Sequence, residues 1–225
     1  MEQGTESKDV SITETLGRTE QYIEDNKKVL SYIVGALVVV VGGYFAYQKL
    51  IIGPQEEEAR GQMFVAERYF EMDSLRLAVN GDGNYLGFQS IVEEYGSTPS
   101  GNLARYYLGM CLLRQGKYED AVNYLSDYNA GDQLTGALAA GGIGDANMEM
   151  GKAEEAASWY MKAASYSKNK FTTPVFLMKA GLAFEESGKY ANAVAAYEDL
   201  KTNFADTNEG KEADKYIARA GARVN

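Results

Sequence analysis

The sequence contains no histidine, one cysteine and three prolines among its 225 residues. Without histidine there is no imidazole to act as a general base, so Ser-His and Cys-His nucleophile systems are excluded. Metal centres built from imidazole and thiolate go with them, because Cys111 alone cannot assemble such a site. A single cysteine also rules out an intramolecular disulfide. Cys111 falls between Met110 and Leu112 in a helical pattern, the setting of a buried, inert thiol rather than a reactive one. Basic charge is scarce too: 22 Lys and Arg face 32 Asp and Glu, a formal net charge of −10. That balance argues against the basic face that nucleic-acid binding requires. Carboxylates such as Glu149, Glu185 and Glu186 could pair for acid-base work. No nucleophile or phosphate loop accompanies them, and acidic residues on helices are ordinarily solvated surface. A non-enzymatic chain is expected, with no catalytic residue, no metal and no cofactor or small-molecule substrate.

What is present begins with an apolar run. Between Lys27, Lys28 and Lys49 the chain reads VLSYIVGALVVVVGGYFAYQ, with no charge inside it. At a helical rise of about 1.5 Å per residue, roughly 20 residues cover the ~30 Å hydrocarbon core of a bilayer. Tyr32 near one end, and Tyr44, Phe45 and Tyr47 near the other, match the preference of aromatic rings for the headgroup level. A cleaved signal peptide is the competing reading, but its apolar region runs only about 7 to 15 residues and ends in small residues. This one ends in YFAYQKLIIG, so residues 29–52 are expected to form an uncleaved transmembrane signal anchor. Two lysines before the run stand against Lys49 and then Glu56, Glu57 and Glu58 after it. The positive-inside rule then places the N-terminus in the cytoplasm and residues 55–225 on the far side. Ser31 with Gly35 and Gly42 with Ala46 make two small-xxx-small pairs, a low face against which another helix could pack. Glycine is common in membrane helices, so partner and accident both stay open.

Residues 1–28 form the expected cytoplasmic tail. The first ten are polar and acidic and read as disordered. Ile12, Leu16, Thr19 and Ile23 then follow one helical stripe, opened by a capping box of Ser11 and Glu14. This short amphipathic helix fits a membrane interface, a partner surface or plain solvation. Beyond the apolar run, Gly53 and Pro54 are expected to break or bend the helix. A new pattern starts at Gln55 and runs through Ala59, Met63, Ala66 and Phe70.

The rest of the chain repeats itself. QGKYEDAVNYLSDY from Gln115, MGKAEEAASWYMKA from Met150 and SGKYANAVAAYEDL from Ser187 recur 35 and then 37 residues apart. A weaker copy, GNYLGFQSIVEEY, starts at Gly83. A period near 34 signals stacked helical hairpins. The copies resemble the tetratricopeptide repeat: its small positions are Gly109 and Ala121, Gly144 and Ala156, Gly181 and Ala193, and its turn is Gly116, Gly151 and Gly188. Its bulky second-helix position is Leu125, Tyr160 and Tyr197. The family's early tryptophan is replaced by Arg105 or Leu177, and its closing proline is missing from the three strong copies, with Pro99 a counterpart after the weak one. NEGKEADKYIARAGARVN from Asn208 reads as a solvating cap with Ala213, Tyr216, Ile217 and Ala220 inward. The expected fold is all-α: one N-terminal transmembrane helix, then residues 55–225 as a helical solenoid with a C-terminal capping helix.

In that family the first helix of each unit lines a concave face. The resemblance therefore implies a protein-binding groove of Leu103, Tyr106, Met110 and Leu113, then Leu138, Gly141, Asp145 and Met148, then Val175, Met178, Leu182 and Glu185. None of these is the lysine or asparagine with which cytosolic co-chaperones of the family clamp a C-terminal carboxylate. Methionine and tyrosine suit apolar segments or an amphipathic helix instead. Equally, the array's own N-terminal or C-terminal helix could fill the groove.

The whole arrangement, an acidic tail, the segment IEDNKKVLSYIVGALVVVVGGYFAYQ and a tetratricopeptide array, resembles the YfgM-like ancillary subunit of the bacterial Sec translocon. That resemblance implies an inner-membrane protein with periplasmic repeats. Its partners would be the Sec translocon, a membrane-anchored prolyl-isomerase chaperone and unfolded secreted clients. The alternative is an anchored adaptor for envelope assembly, secretion or cell division, unconnected with nascent chains.

Overall fold

The computed structural model describes residues 21 and 23–224, so the expected helix from Ser11 to Thr19 lies outside the described residues. The chain divides into two compact units, Met1–Pro54 and Gln55–Asn225.

In the first unit, helix α1 (Lys27–Tyr47) buries none of its residues. Its most apolar stretch has a mean hydropathy of 2.2, and it is long and apolar enough to cross a membrane. A Cβ added at Gly35 or Gly42 would meet nothing within 4 Å, so the low face is open. A π-helical turn follows at Gln48–Ile52. Gly53 then keeps helical angles, φ −56° and ψ −55°, so of the expected break or bend the break is absent. Helix α2 (Gly53–Glu71) starts on this residue. Pro54 falls in its first turn, where a missing N–H deprives the helix of nothing.

In the second unit the chain continues as α3 (Leu75–Asn80), α4 (Phe88–Tyr95), α5 (Pro99–Arg114), α6 (Tyr118–Asp127), α7 (Gln133–Glu149), α8 (Ala153–Ser165), α9 (Thr173–Glu186), α10 (Tyr190–Asn203) and α11 (Asn208–Gly221). From α4 onward each helix packs on the next in sequence, and the described residues contain no strand. The short helix α3 lies between α2 and α4 in the chain and packs on α4 and α5.

The turns inside the three strong hairpins are built alike. Gly116, Gly151 and Gly188 have φ of 75°, 73° and 75°. In each, the glycine and the lysine after it donate backwards to the ending helix: Gly116 to Leu113 and Lys117 to Leu112, Gly151 to Met148 and Lys152 to Asn147, Gly188 to Glu185 and Lys189 to Phe184. This double closure satisfies carbonyls that a helix end would otherwise leave bare, and the left-handed residue it needs is cheapest as glycine.

Other helices are opened by side chains. Thr98 caps α5 by accepting from Gly101 N, Asp132 caps α7 by accepting from Leu134 N and Thr135 N, and Thr207 caps α11 by accepting from Gly210 N. At α5 a second acceptor arrives from far along the chain, because Glu56 on α2 takes Ser100 N at 2.8 Å and Ser100 Oγ at 2.9 Å. A carboxylate at a helix N-terminus satisfies an orphan donor and opposes the positive end of the dipole. Burial works to raise the Glu56 pKa, but the bonds from Ser100 and Arg60 outweigh it and hold it below its ordinary 4.5.

Among the described residues the apolar core falls into three clusters. One gathers residues from Ala59 to Ala121 on α2 to α6, with Phe88, Ile91 and Leu108 among its largest. Another gathers residues from Ala137 to Ala220, with Tyr160, Leu177, Tyr197 and Leu200. Between them sits a small cluster of Leu125, Ala139 and Ile143.

Candidate protein-binding surface

The helix pairs cross closely because glycine faces a bulky side chain at each crossing. A Cβ on Gly109 would lie 2.6 Å from Leu125 Cγ, one on Gly144 2.5 Å from Tyr160 Cε1, and one on Gly181 2.2 Å from Tyr197 Cε1. No real Cβ approaches carbon so closely, so only glycine fits. Helix α7 extends the device: Gly136 receives the Tyr166 ring and Gly141 the Phe176 ring, while Gly142 faces Leu125 and Met110. Gly141 is therefore a seat for the next hairpin's aromatic ring rather than open groove floor.

The projected groove residues are brought together chiefly as packing between hairpins. Leu103 and Leu113 pack against the first cluster, Tyr106 and Met110 against the small middle one, and Leu138, Met148 and Met178 against the last. Tyr106 touches the rings of Tyr107 and Tyr128, and burial pushes its phenol up to about 12. Val175 is half-buried, and Leu182 alone of the set counts as exposed, at 39%.

Asp145 and Glu185 have partners inside the chain. Asp145 Oδ1 accepts from Tyr160 Oη at 2.6 Å and from Lys179 Nζ at 2.7 Å. Glu185 Oε1 accepts from Tyr197 Oη at 2.8 Å and from Arg219 Nη2 at 2.6 Å, while Oε2 takes Arg219 Nε at 3.0 Å. Burial first, and then the neighbouring carboxylate, drive both phenols far above their ordinary value, so they stay neutral donors. In each cluster a tyrosine from the second helix reaches past the glycine to a carboxylate on the first helix. A cation from the next first helix, or from the cap, closes the set. Lys179 and Arg219 were not among the sequence-derived site residues, yet each lies 34 residues after its carboxylate. A recurrence at the repeat spacing was the available signal.

Among the described residues no group of three or more His, Cys, Asp or Glu could hold a metal ion. Cys111 is fully buried, and burial pushes its thiol up to about 12.

Profiles of the tetratricopeptide repeat match residues 88–134, 139–170 and 176–207. The chain carries tetratricopeptide repeats. No curated protein matches the sequence. Two crystal structures of nearly identical TPR-like repeats, from a Podosopora anserina protein assigned as a kinesin light chain, superpose with a TM-score of 0.56 at 16% identity. Each covers 75% of this chain and 87% of its own, a likeness that concerns the fold. In tetratricopeptide terms α5 with α6, α7 with α8 and α9 with α10 are the three regular units, and the Tyr-carboxylate-cation clusters join the last two units and the cap. The tetratricopeptide array makes this chain a protein-interaction scaffold.

Proposed function

We propose that the chain is a non-enzymatic, membrane-anchored tetratricopeptide scaffold of the bacterial inner membrane, with its N-terminus in the cytoplasm and its repeats in the periplasm. The observation that carries this reading is an uninterrupted apolar helix, α1, with no buried residue, immediately ahead of a repeat array. Residues 1–28, 29–52 and 55–225 then serve as tail, anchor and array. Together with the acidic tail and the flanking lysines, this order supports association with the Sec translocon and a membrane-anchored prolyl-isomerase chaperone. There the array would assist secreted proteins after translocation. The half-buried Leu103, Tyr106, Met110, Met148 and Met178, together with the exposed Leu182, supply the apolar contact surface, and the open Gly35 and Gly42 face supplies a docking edge for a partner helix.

Two measurements on the full chain test this. Protease added to intact spheroplasts should digest the array. Gentle detergent extraction should then co-purify translocon subunits and the isomerase. Protection in spheroplasts with cleavage in inverted vesicles would reverse the topology, and co-purification of division or envelope-assembly proteins alone would replace the translocon assignment.

A further inference from the structure

Phe171 lies in the loop 166–172 between α8 and α9 with 85% of its surface exposed, more than any other large apolar side chain among the described residues. The loop that presents it is fixed. Asn169 Oδ1 accepts from Phe171 N at 2.7 Å and Thr172 N at 2.8 Å, and Asn169 Nδ2 donates to Thr172 Oγ1 at 2.8 Å. Lys170 is ion-paired with Asp206, and Thr172 and Thr173 are buried. A ring held outward by an ordered backbone is a knob.

A hole lies beside it. A crevice of about 140 Å³ is walled by Met161, Ala164, Leu177 and Phe204, with Lys168 and Asp199 among its polar lining. Two lining residues bracket Phe171 in the chain: Lys168 in the same loop and Thr173, the first residue of α9. An apolar cavity of about 150 Å³ holds one benzene molecule, so the volume suits one phenyl ring. The chain's own Phe171 does not fill it, since that ring is exposed.

A surface with a knob and a matching hole side by side is self-complementary, the condition for a twofold contact in which residue i meets j and j meets i. Charge follows the same rule. Lys168 and Asp199 have opposite signs, so a twofold arrangement sets each lysine toward the other copy's aspartate. Lys168 has no ion-pair partner within 4.0 Å among the described residues. We propose that this face pairs two copies of the chain, each Phe171 entering the other's crevice. A lipid surface would accept the ring but make no use of the hole.

The test mixes two populations of full-length chain in detergent micelles, Lys168→Cys in one and Asp199→Cys, differently tagged, in the other. The native Cys111 is fully buried and stays out of the reaction. Mild oxidation should link the two populations to each other. Phe171→Asp in both removes two ring burials per dimer and should raise the dimer Kd at least about a hundredfold. At dilutions where the parent is itself monomeric, the helical signal and thermal midpoint should not move, because the ring supports nothing in its own chain. Absence of the mixed link overturns the pairing, as does a link that persists with Phe171→Asp. Binding to anionic vesicles that Phe171→Asp abolishes, at dilutions where no link forms, overturns it in favour of lipid.

Discussion

Replacing Gly181 by alanine sets two effects of opposite sign against each other. In the interior of α9 the change should stabilise the helix by about 1 kcal/mol, the usual penalty of glycine there. The new methyl, however, would sit 2.2 Å from Tyr197 Cε1 and 2.4 Å from Cζ. Carbon contacts settle at roughly 3.5–4 Å, so the ring must retreat by more than about 1 Å. It has nowhere easy to go: Tyr197 is fully buried and its hydroxyl is bonded to Glu185, which is held in turn by Arg219. Overpacking costs about 1–3 kcal/mol, and loosening a hydrogen bond to a charged group adds about 1.5–3. After the propensity gain the net destabilisation is about 1.5–5 kcal/mol, which in a domain of this size lowers Tm by at least about 3 °C. The control is Gly61→Ala in α2, where an added Cβ meets nothing within 4 Å. There only the propensity remains, and Tm should rise slightly. Both are read by circular dichroism melts of the full chain in detergent. A Gly181→Ala protein as stable as the parent would show that the hairpin crossing has slack, and the close-packing account would fail.

Two further outcomes follow from the carboxylates. Because the folded Glu56 pKa lies below its ordinary 4.5, its stabilisation is complete above that value and disappears as pH falls through the lower, folded one. Gln can still accept from Ser100 through its carbonyl oxygen, so Glu56→Gln should cost only the charge assistance, about 1 kcal/mol near neutral pH, with the gap from the parent closing in strong acid. Guanidinium titrations at several pH values measure it, and a gap independent of pH would refute the capping charge. Arg219→Met should lower the melting midpoint more than Lys179→Met. The Glu185 side chain retains 11% exposure against 37% for Asp145, and half-exposed pairs are worth only about 0.2–1 kcal/mol. Equal shifts would mean that burial of the carboxylate is not what matters.

The repeat was legible because its demands are local. Gly116, Gly151 and Gly188 sit where a left-handed residue closes a helix, and Gly109, Gly144 and Gly181 where two helices cross, so both recur at fixed spacing. Of the break or bend expected at Gly53, the break is absent because proline in a first helical turn and glycine with ordinary helical angles are both compatible with a helix, and neither residue type alone says which way the chain will go. Helix α3 was hidden for a different reason: its six residues are too few for a helical period to show. The candidate surface was half-visible. Spacing projected which residues of α5, α7 and α9 share a face, but it could not show that Lys179 and Arg219 come across to neutralise Asp145 and Glu185. Phe171 belongs to a loop with no periodicity, so its exposure needed coordinates.

The separation of the core into an early cluster, Ala59 to Ala121, and a late one, Ala137 to Ala220, bears on how the molecule is made. Synthesis delivers the chain from its N-terminal end, and arrays of stacked hairpins gain stability from neighbour to neighbour. Every member of the early cluster has been polymerised before α7 begins, so the first hairpins can seal their apolar surface while the later ones are still being added. Leu125 is then left waiting for Ala139 and Ile143. It serves as the template onto which the glycine-rich helix docks, and that helix is in turn the seat for the Tyr160, Tyr166 and Phe176 rings that follow it.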